Sequence, residues 1–294
     1  MAPAELLDPQ PGERVLDLCA APGGKSTQLA GKLRGKGLLV CNEINAKRAK
    51  ILSGNIERLG ISNALVLNEH PKRLEERFAG YFDKILVDAP CSGEGMFRKE
   101  EAAVTDWTED TNAICANRQL EILTSAAAML RPGGRLVYST CTFSPVENEG
   151  VISDFLWKNP DFSVEKPDVP FFSPGRPDWV ANPAPGLEKT FRLWPHKLLG
   201  EGHYAAVMHA MDLLKAHGIL FGTSICYTRD NLEAVTSDHF MRMLCDKGAH
   251  FGFYFHYMPV GNEAAPELMP TPAQRKYMLE RIRYCLLYTS PSPR

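Results

Sequence analysis

The chain has 294 residues, enough for a full α/β domain and a further piece, and its formal net charge is −2. Its hydrophobic content of 44% and charged content of 23% are those of a soluble globular protein. No apolar run reaches the length of a membrane span, and the N-terminus has neither a basic n-region nor an apolar h-region. Eight scattered cysteines with no C-x-x-C pair argue against a zinc site and against a secreted disulfide framework; a reduced cytoplasmic setting is expected. A nucleic-acid partner cannot be argued from bulk charge. The local basic clusters (Lys32, Arg34, Lys36; Lys47, Arg48, Lys50; Arg98, Lys99) read first as solvated helix faces or loops.

In chain order, Asp8 to Gly12 reads as a Pro-containing turn, and the first strand starts directly at Arg14. The apolar run Val15-Leu16-Asp17-Leu18 then breaks at Cys19-Ala20-Ala21-Pro22-Gly23-Gly24-Lys25, and a helix follows over about 25–34. Strand, tight turn and helix is where an α/β domain commonly holds a cofactor, and Gly23 and Gly24 permit close backbone approach. Further elements are expected as strand 37–42, helix 45–59, strands 63–67 and 84–88, and a helix at about 112–130 stopped by Pro132-Gly133-Gly134. Strand 135–139 and helix 146–158 follow, then a Pro-, Gly- and aromatic-rich surface excursion over 160–187. Segments around 192–196 and 202–207 resemble the arms of a closing hairpin. Alternating β and α units predict a Rossmann-like, doubly wound, mostly parallel sheet with ligands at the strands' C-terminal ends.

Three cofactor classes compete for the first loop. A nucleotide phosphate loop would need a glycine where Cys19 stands, and no dinucleotide G-x-G-x-x-G spacing exists. S-adenosylmethionine needs an acid after the second strand for its ribose hydroxyls, and Glu43 ends Leu38–Asn42 in that way. The third class fits.

Asp88-Ala89-Pro90-Cys91 follows the fourth strand and Ser139-Thr140-Cys141-Thr142 the fifth. A lone cysteine at a strand end is more often a small buried apolar residue. Two of them beside a methyl-donor loop point instead to covalent help in methyl transfer. Carbon 5 of cytosine is a poor nucleophile until a thiolate adds to carbon 6, and a nearby cation such as Lys25 would lower the thiol pKa. The residues alone leave the nucleophile open between Cys91 and Cys141. Asp17 reads as a brace for the loop backbone, His196 and His203 as hairpin residues, and Cys41, Cys115, Cys226 and Cys245 as core.

With Leu18-Cys19-Ala20-Ala21-Pro22-Gly23-Gly24-Lys25, Asn42-Glu43, Asp88-Ala89-Pro90-Cys91-Ser92-Gly93-Glu94-Gly95 and Ser139-Thr140-Cys141-Thr142-Phe143 in this order, residues 3–208 resemble the RNA cytosine-5 methyltransferases of the Sun/RsmF type. The resemblance implies a class I methyltransferase fold and methylation of a cytosine in RNA, most naturally ribosomal RNA. It makes Cys141 the nucleophile and Cys91 an aid to release of the methylated base. Lys25 and Asp88 would hold the cytosine, with Asp88 also near the methionine end of the cofactor. Residues 19–25 (Cys19, Ala20, Ala21, Pro22, Gly23, Gly24, Lys25) and Glu43 would bind S-adenosylmethionine; no metal is implied. Two departures stand out. His70 occupies the position where the family often has an acid for the adenine amino group. The RNA-facing region that precedes the first strand in the family is missing here, so cofactor binding with weak turnover is expected. The alternatives are a non-catalytic RNA- or ribosome-binding module, or a methyltransferase for a non-RNA substrate.

After about Met208 the character changes. A helix at 213–217, strand 219–226, helix 237–246, strand 251–257 and helix 271–283 form additional βα units. Residues 212–284 resemble an internal part of a radical S-adenosylmethionine barrel, without its C-x-x-x-C-x-x-C cluster motif. These units lack neighbours to cover their faces, so loose packing is expected. The expected organisation is a methyltransferase domain over 1–208, a partial βα segment over 209–284, and a tail over 285–294 that is non-native in character and shows no period. A join of two unrelated fragments accounts for the change.

Overall fold

The computed structural model describes residues 1–97, 104–105, 107–108, 110–166, 169, 172–197, 202–210, 221–246, 249–257 and 266–289. The chain divides into two compact units, Met1–Met211 and Asp212–Arg294.

In the first unit the strands are β1 (Arg14–Asp17), β2 (Leu38–Asn42), β3 (Ala64–Leu67), β4 (Phe82–Asp88), β5 (Leu130–Thr140), β6 (Phe162–Glu165), β7 (Ser173–Pro174), β8 (Phe191–Leu193) and β9 (His203–Ala210). The helices are α1 (Ala2–Leu7), α2 (Gly24–Leu33), α3 (Ala46–Arg58), α4 (Pro71–Phe78), α5 (Thr111–Met129) and α6 (Val151–Lys158). The sheet order is β3-β2-β1-β4-β5-β9-β8-β7, with β6 also pairing with β9. Strands β1 to β5 are parallel, and β9 runs antiparallel to β5, Ser139 facing Ala205. The chain moves outward from β1 to β3 and then returns to place β4 on the other side of β1. That reversal opens a crevice at the strands' C-terminal ends, where doubly wound sheets bind ligands.

The period of two along each strand explains the two-sided core. Leu16, Val40, Ile85, Val87, Leu136 and Tyr138 pack against α4, α5 and α6 on one face. Val15, Leu39, Cys41, Leu86 and Val137 pack against α1, α2 and α3 on the other. The mixed helix–strand periodicity of the sequence therefore has one physical solution, a sheet covered on both sides.

Most expected elements are present within a few residues. Helices α1 and α4 were not anticipated. The first is a single short turn-and-a-half ahead of the expected first element. The second starts at His70, whose Nδ1 accepts the Lys72 N–H at 3.3 Å, whereas Ser, Thr, Asp or Asn is the usual cap. Helix α5 ends at Met129, before the Pro132-Gly133-Gly134 stop; that tripeptide lies inside the extended start of β5, and the β4–β5 ladder shifts register between Phe82 and Lys84. The expected helix 146–158 begins with a π-helical turn, Val146–Gly150.

The second unit contains β10 (Phe221–Tyr227), α7 (Leu232–Thr236), α8 (Asp238–Asp246), β11 (Ala249–His256) and α9 (Pro272–Thr289). β10 and β11 form a two-stranded parallel sheet, with Tyr227 opposite His256. Tyr227, Leu232 and Met278 are its buried apolar cluster among the described residues. Two expectations are corrected here. Helix α9 continues through Thr289, into the stretch read as lacking a period. Cys226, read as core, is exposed, because its side chain alternates away from buried Tyr227. The helix expected at 213–217, the Arg98–Lys99 cluster and the side chain of Cys245 lie outside the described residues. Among those residues no helix is long and apolar enough to cross a membrane.

Candidate active site

Four strand mouths of the first unit bring the candidate residues to one edge of the sheet. At β1 the chain leaves Asp17 and turns through Cys19–Gly23 into α2. Ala21-Pro22 is a cis peptide, and Gly23, at φ 113°, adopts a left-handed conformation that favours glycine. Asn55 Nδ2 donates to the Pro22 carbonyl at 2.8 Å and Arg48 Nη2 to the Ala21 carbonyl at 2.8 Å, so α3 braces the loop. Among the described residues no side chain caps the N-terminus of α2, at the mouth of β1.

Asp17 is fully buried and accepts the Ser26 hydroxyl on Oδ2 at 2.7 Å, while Oδ1 has no partner among the described residues. Burial drives its pKa up to about 7 against the Ser26 hydrogen bond. The Ser26 contact ties β1 to α2 through a side chain, and no contact of Asp17 with the loop backbone is seen among the described residues. At β2, buried Glu43 accepts the Asn45 N–H at 2.9 Å and pairs with Arg48 at 3.3 Å. Asn68 Nδ2 reaches the carbonyls of Glu43 (2.6 Å) and Ile44 (2.9 Å), fixing the turn that carries the acid. His70 is committed to capping α4.

At β4 and β5 the geometry is denser. Lys25 Nζ and Asp88 Oδ2 are 2.6 Å apart, and the Ser139 hydroxyl donates to Asp88 Oδ1 at 2.6 Å. The sulfurs of Cys91 and Cys141 are 3.1 Å apart, and the Cys141 N–H points at Cys91 Sγ at 3.4 Å. Ser92 Oγ meets Thr142 Oγ1 at 2.9 Å. Glu94 accepts from the Thr142 hydroxyl, the Phe143 N–H and Asn112 Nδ2 at 3.0–3.1 Å. Gly95 donates its N–H to the Cys141 carbonyl at 2.8 Å; a Cβ there would stand 2.6 Å from that oxygen, so the loops touch only because residue 95 lacks one.

The thiols differ electrically. The Cys91 S–H hydrogen bond holds the Cys141 pKa below the usual thiol value, with Lys25 assisting and desolvation and Asp88 opposing. Cys91 moves well above it, chiefly through the same hydrogen bond and through desolvation. The two shifts run in opposite directions and favour loss of a proton from Cys141 before Cys91. Sequence reasoning named Lys25 as the activating cation, but Lys25 is secondary here and its direct partner is Asp88. Cys19, also a loop residue, is pushed up by desolvation and by Asp17, Asp88 and Glu43.

Sequence reasoning quoted Ser139 and Glu94 within motifs but gave them no role, and it missed Gln119, Glu147 and Asn148. Gln119, Glu147 and Asn148 are fully buried polar groups within helical stretches, where an apolar period gives no signal of them. Among the described residues no cluster of three or more His, Cys, Asp or Glu is arranged to hold a metal.

The mostly parallel sheet with its antiparallel β5–β9 edge and this crevice define a class I methyltransferase fold, whose cofactor is S-adenosylmethionine. The unpartnered Asp17 oxygen, the uncapped α2 amides and the acid closing β2 fit such a cofactor. Residues 4–209 match the family model 16S rRNA methyltransferase RsmB/F, and the chain belongs to that family. It is 44% identical over 218 residues to ribosomal RNA small subunit methyltransferase F of Klebsiella pneumoniae (strain 342), covering 73% of this chain and 44% of that protein. It is 38% identical over 205 residues to the protein of that name from Escherichia coli O9:H4 (strain HS), covering 69% and 41%. The chain thus spans less than half the length of these relatives. NSun6 from Pyrococcus horikoshii, solved with SFG, an analogue of S-adenosylmethionine, aligns at 31% identity and a TM-score of 0.60, covering 71% of this chain and 50% of that one.

Proposed function

We propose that residues 1–208 are the catalytic domain of an enzyme that methylates carbon 5 of a cytosine in ribosomal RNA through a covalent cysteine adduct. The observation that carries this reading is the pair of sulfurs 3.1 Å apart beside the Lys25–Asp88 ion pair. Methylation of an amine or oxygen needs no thiol pair. S-adenosylmethionine, held by residues 19–25, Glu43 and Asp88, would supply an electrophilic methyl group.

Cys141 is the nucleophile in this reading, as the family resemblance implies, and the lowering of its pKa by the Cys91 hydrogen bond supports it. Its addition to carbon 6 of cytosine makes carbon 5 enamine-like and able to attack the methyl carbon. The carbon-5 proton is then lost, the Cys141–carbon 6 bond breaks, and the thiolate is restored. Cys91, within contact of Cys141, assists that release. The two Asp88 oxygens are oriented by Lys25 and Ser139 and keep lone pairs for the exocyclic amine of the base. Lys25 lies at the same edge to hold the ring. Ribosomal RNA as partner places the enzyme in the cytoplasm.

For residues 212–284 we infer a fragment of a radical S-adenosylmethionine barrel, supported by the parallel β10–β11 pair with α7 and α8 between its strands. The sequence has no cluster motif there, so no radical chemistry is expected of it.

A small-subunit rRNA transcript containing 5-fluorocytidine tests the main reading, since fluorine at carbon 5 blocks release after methyl transfer. With S-adenosylmethionine, wild type and Cys91→Ala should form a denaturation-stable protein–RNA adduct, and Cys141→Ala none. Loss of the adduct only in Cys91→Ala would exchange the two roles. No adduct with wild type would remove covalent catalysis in favour of a binding module.

A further inference from the structure

The π-helical turn Val146–Gly150 carries three consecutive fully buried polar side chains, Glu147, Asn148 and Glu149. Buried polar groups cost stability unless each is paired, and π turns are rare and frequently occur at functional sites. Glu149 has a structural partner: its carboxylate pairs with buried Arg192, with Nε at 2.7 Å, and accepts the Arg176 N–H at 2.9 Å. The other two hold neither each other nor a charge. They hold the chain on both sides of each cysteine.

Glu147 Oε2 accepts the Ser92 N–H at 3.0 Å and Gln119 Nε2 at 2.8 Å, and the same Gln119 nitrogen donates to the Pro90 carbonyl at 3.0 Å. Residues 90 and 92, flanking Cys91, are thus fastened to one carboxylate–amide pair. Tyr138 OH, reaching Gln119 Oε1 at 3.0 Å and the Glu147 carbonyl at 2.7 Å, locks that pair from below. Asn148 does the same for the other loop. Its Oδ1 accepts the Thr140 hydroxyl at 2.6 Å and its Nδ2 donates to the Thr142 carbonyl at 3.0 Å, flanking Cys141. Two adjacent residues of one turn therefore bracket two loops that are 50 residues apart in sequence.

We propose that Glu147 and Asn148 are positioning residues that set the spacing of the Cys91–Cys141 thiol pair. The proposal rests on the reading above only for its catalytic consequence. The spacing itself is measurable without RNA.

The test uses the full chain as wild type, Glu147→Ala, Glu147→Gln, Asn148→Ala and Thr140→Val. Diamide, which takes two hydrogens from a thiol pair to form a disulfide, reports how well the sulfurs are preorganised; closure is followed by mass spectrometry. Glu147→Ala and Asn148→Ala should slow closure of Cys91 with Cys141 about tenfold. Glu147→Gln keeps an acceptor for the Ser92 N–H and should stay within about threefold of wild type. Thr140→Val removes one bracket bond at nearly constant shape, keeps the test available should an alanine variant fail to fold, and should slow closure about threefold.

The 5-fluorocytidine and unmodified transcripts then separate the two brackets. Asn148→Ala should lose adduct on the fluorinated RNA, whereas Glu147→Ala should accumulate adduct on the unmodified RNA, because release is impaired. A merely structural role would lower both signals together. Closure rates within twofold of wild type in Thr140→Val and in the alanine variants that fold would overturn the proposal. Slowed closure with no wild-type adduct would instead leave the positioning intact and remove the catalytic reading.

Discussion

The mouths of β1 and β5 are built from similar material and behave oppositely. Each carries a cysteine in a tight turn within reach of carboxylates, and desolvation raises both thiols. At β1, Cys19 meets Asp17, Asp88 and Glu43, with only Arg48 in opposition, and stays a thiol. At β5, Cys141 receives a hydrogen bond from Cys91 and the field of Lys25, and these outweigh burial. The lesson concerns donors rather than exposure. A buried anion persists where a donor has been placed against it, and reverts to its neutral form where none has. Asp17 lies between the two: the Ser26 hydroxyl lowers its pKa, but burial outweighs that single donor and raises it to about 7.

Asp17→Asn gives the largest expected effect on this contrast. The folded-state pKa near 7 lies above the unfolded carboxyl value of about 3.9. Between those values the unfolded chain gives up a proton that the folded chain keeps, so the contribution of Asp17 to stability falls as pH rises from about 4 to 7. The loss has an upper limit of about 4 kcal/mol. Denaturant titrations of both proteins at pH 5 and pH 8 should show the variant gaining on wild type at the higher pH. A difference independent of pH would break the contrast at the β1 mouth.

Lys25→Met addresses the β5 mouth. It removes the partner of Asp88 and a cation that favours the Cys141 thiolate. Methyl incorporation into an rRNA transcript should fall about 10–100-fold at neutral pH. Because the thiol pKa rises, the pH–rate profile should move to the alkaline side, and the deficit should shrink towards pH 9. An unshifted profile would leave Lys25 a role in holding the base alone.

Much of the fold was legible because a sheet covered on both faces writes itself as short apolar strands between amphipathic helices. Val15 and Leu16 serve opposite cores, yet both are apolar, and the run reads as a buried strand either way. Lys25, Asp88, Cys91 and Cys141 were legible because they sit in or directly beside the turns at the strand mouths, where an unusual residue shows against a small, polar background. Neither the even division between the two thiols nor the brackets around them was resolvable in one dimension. The asymmetry of the pair depends on which sulfur donates, and Glu147 and Asn148 lie inside what reads as an ordinary helix start. For His70 the sequence showed a departure from the family pattern and left its role open; the structure adds that its Nδ1 caps the first turn of α4.

Ser139→Ala should have the smallest effect and most cleanly separates orientation from activation. Among the described residues the Ser139 hydroxyl hydrogen-bonds to Asp88 Oδ1, at 2.6 Å, and lies at the end of β5 two residues before Cys141. Its removal leaves the Lys25–Asp88 pair and the Cys91 hydrogen bond in place, so the alkaline shift expected of Lys25→Met should be absent. What is lost is one of two donors that fix the carboxylate plane, a hydrogen bond to a charged group worth about 1.5–3 kcal/mol at most. Lys25 still holds the other oxygen, so the rate should fall only about three- to tenfold, mainly through a higher KM for RNA. A fall carried by kcat, with the pH profile displaced, would mean that Asp88 acts on the Cys141 thiolate more strongly than on the base, and the β5 mouth would need to be read as a three-group array of Asp88, Cys91 and Cys141.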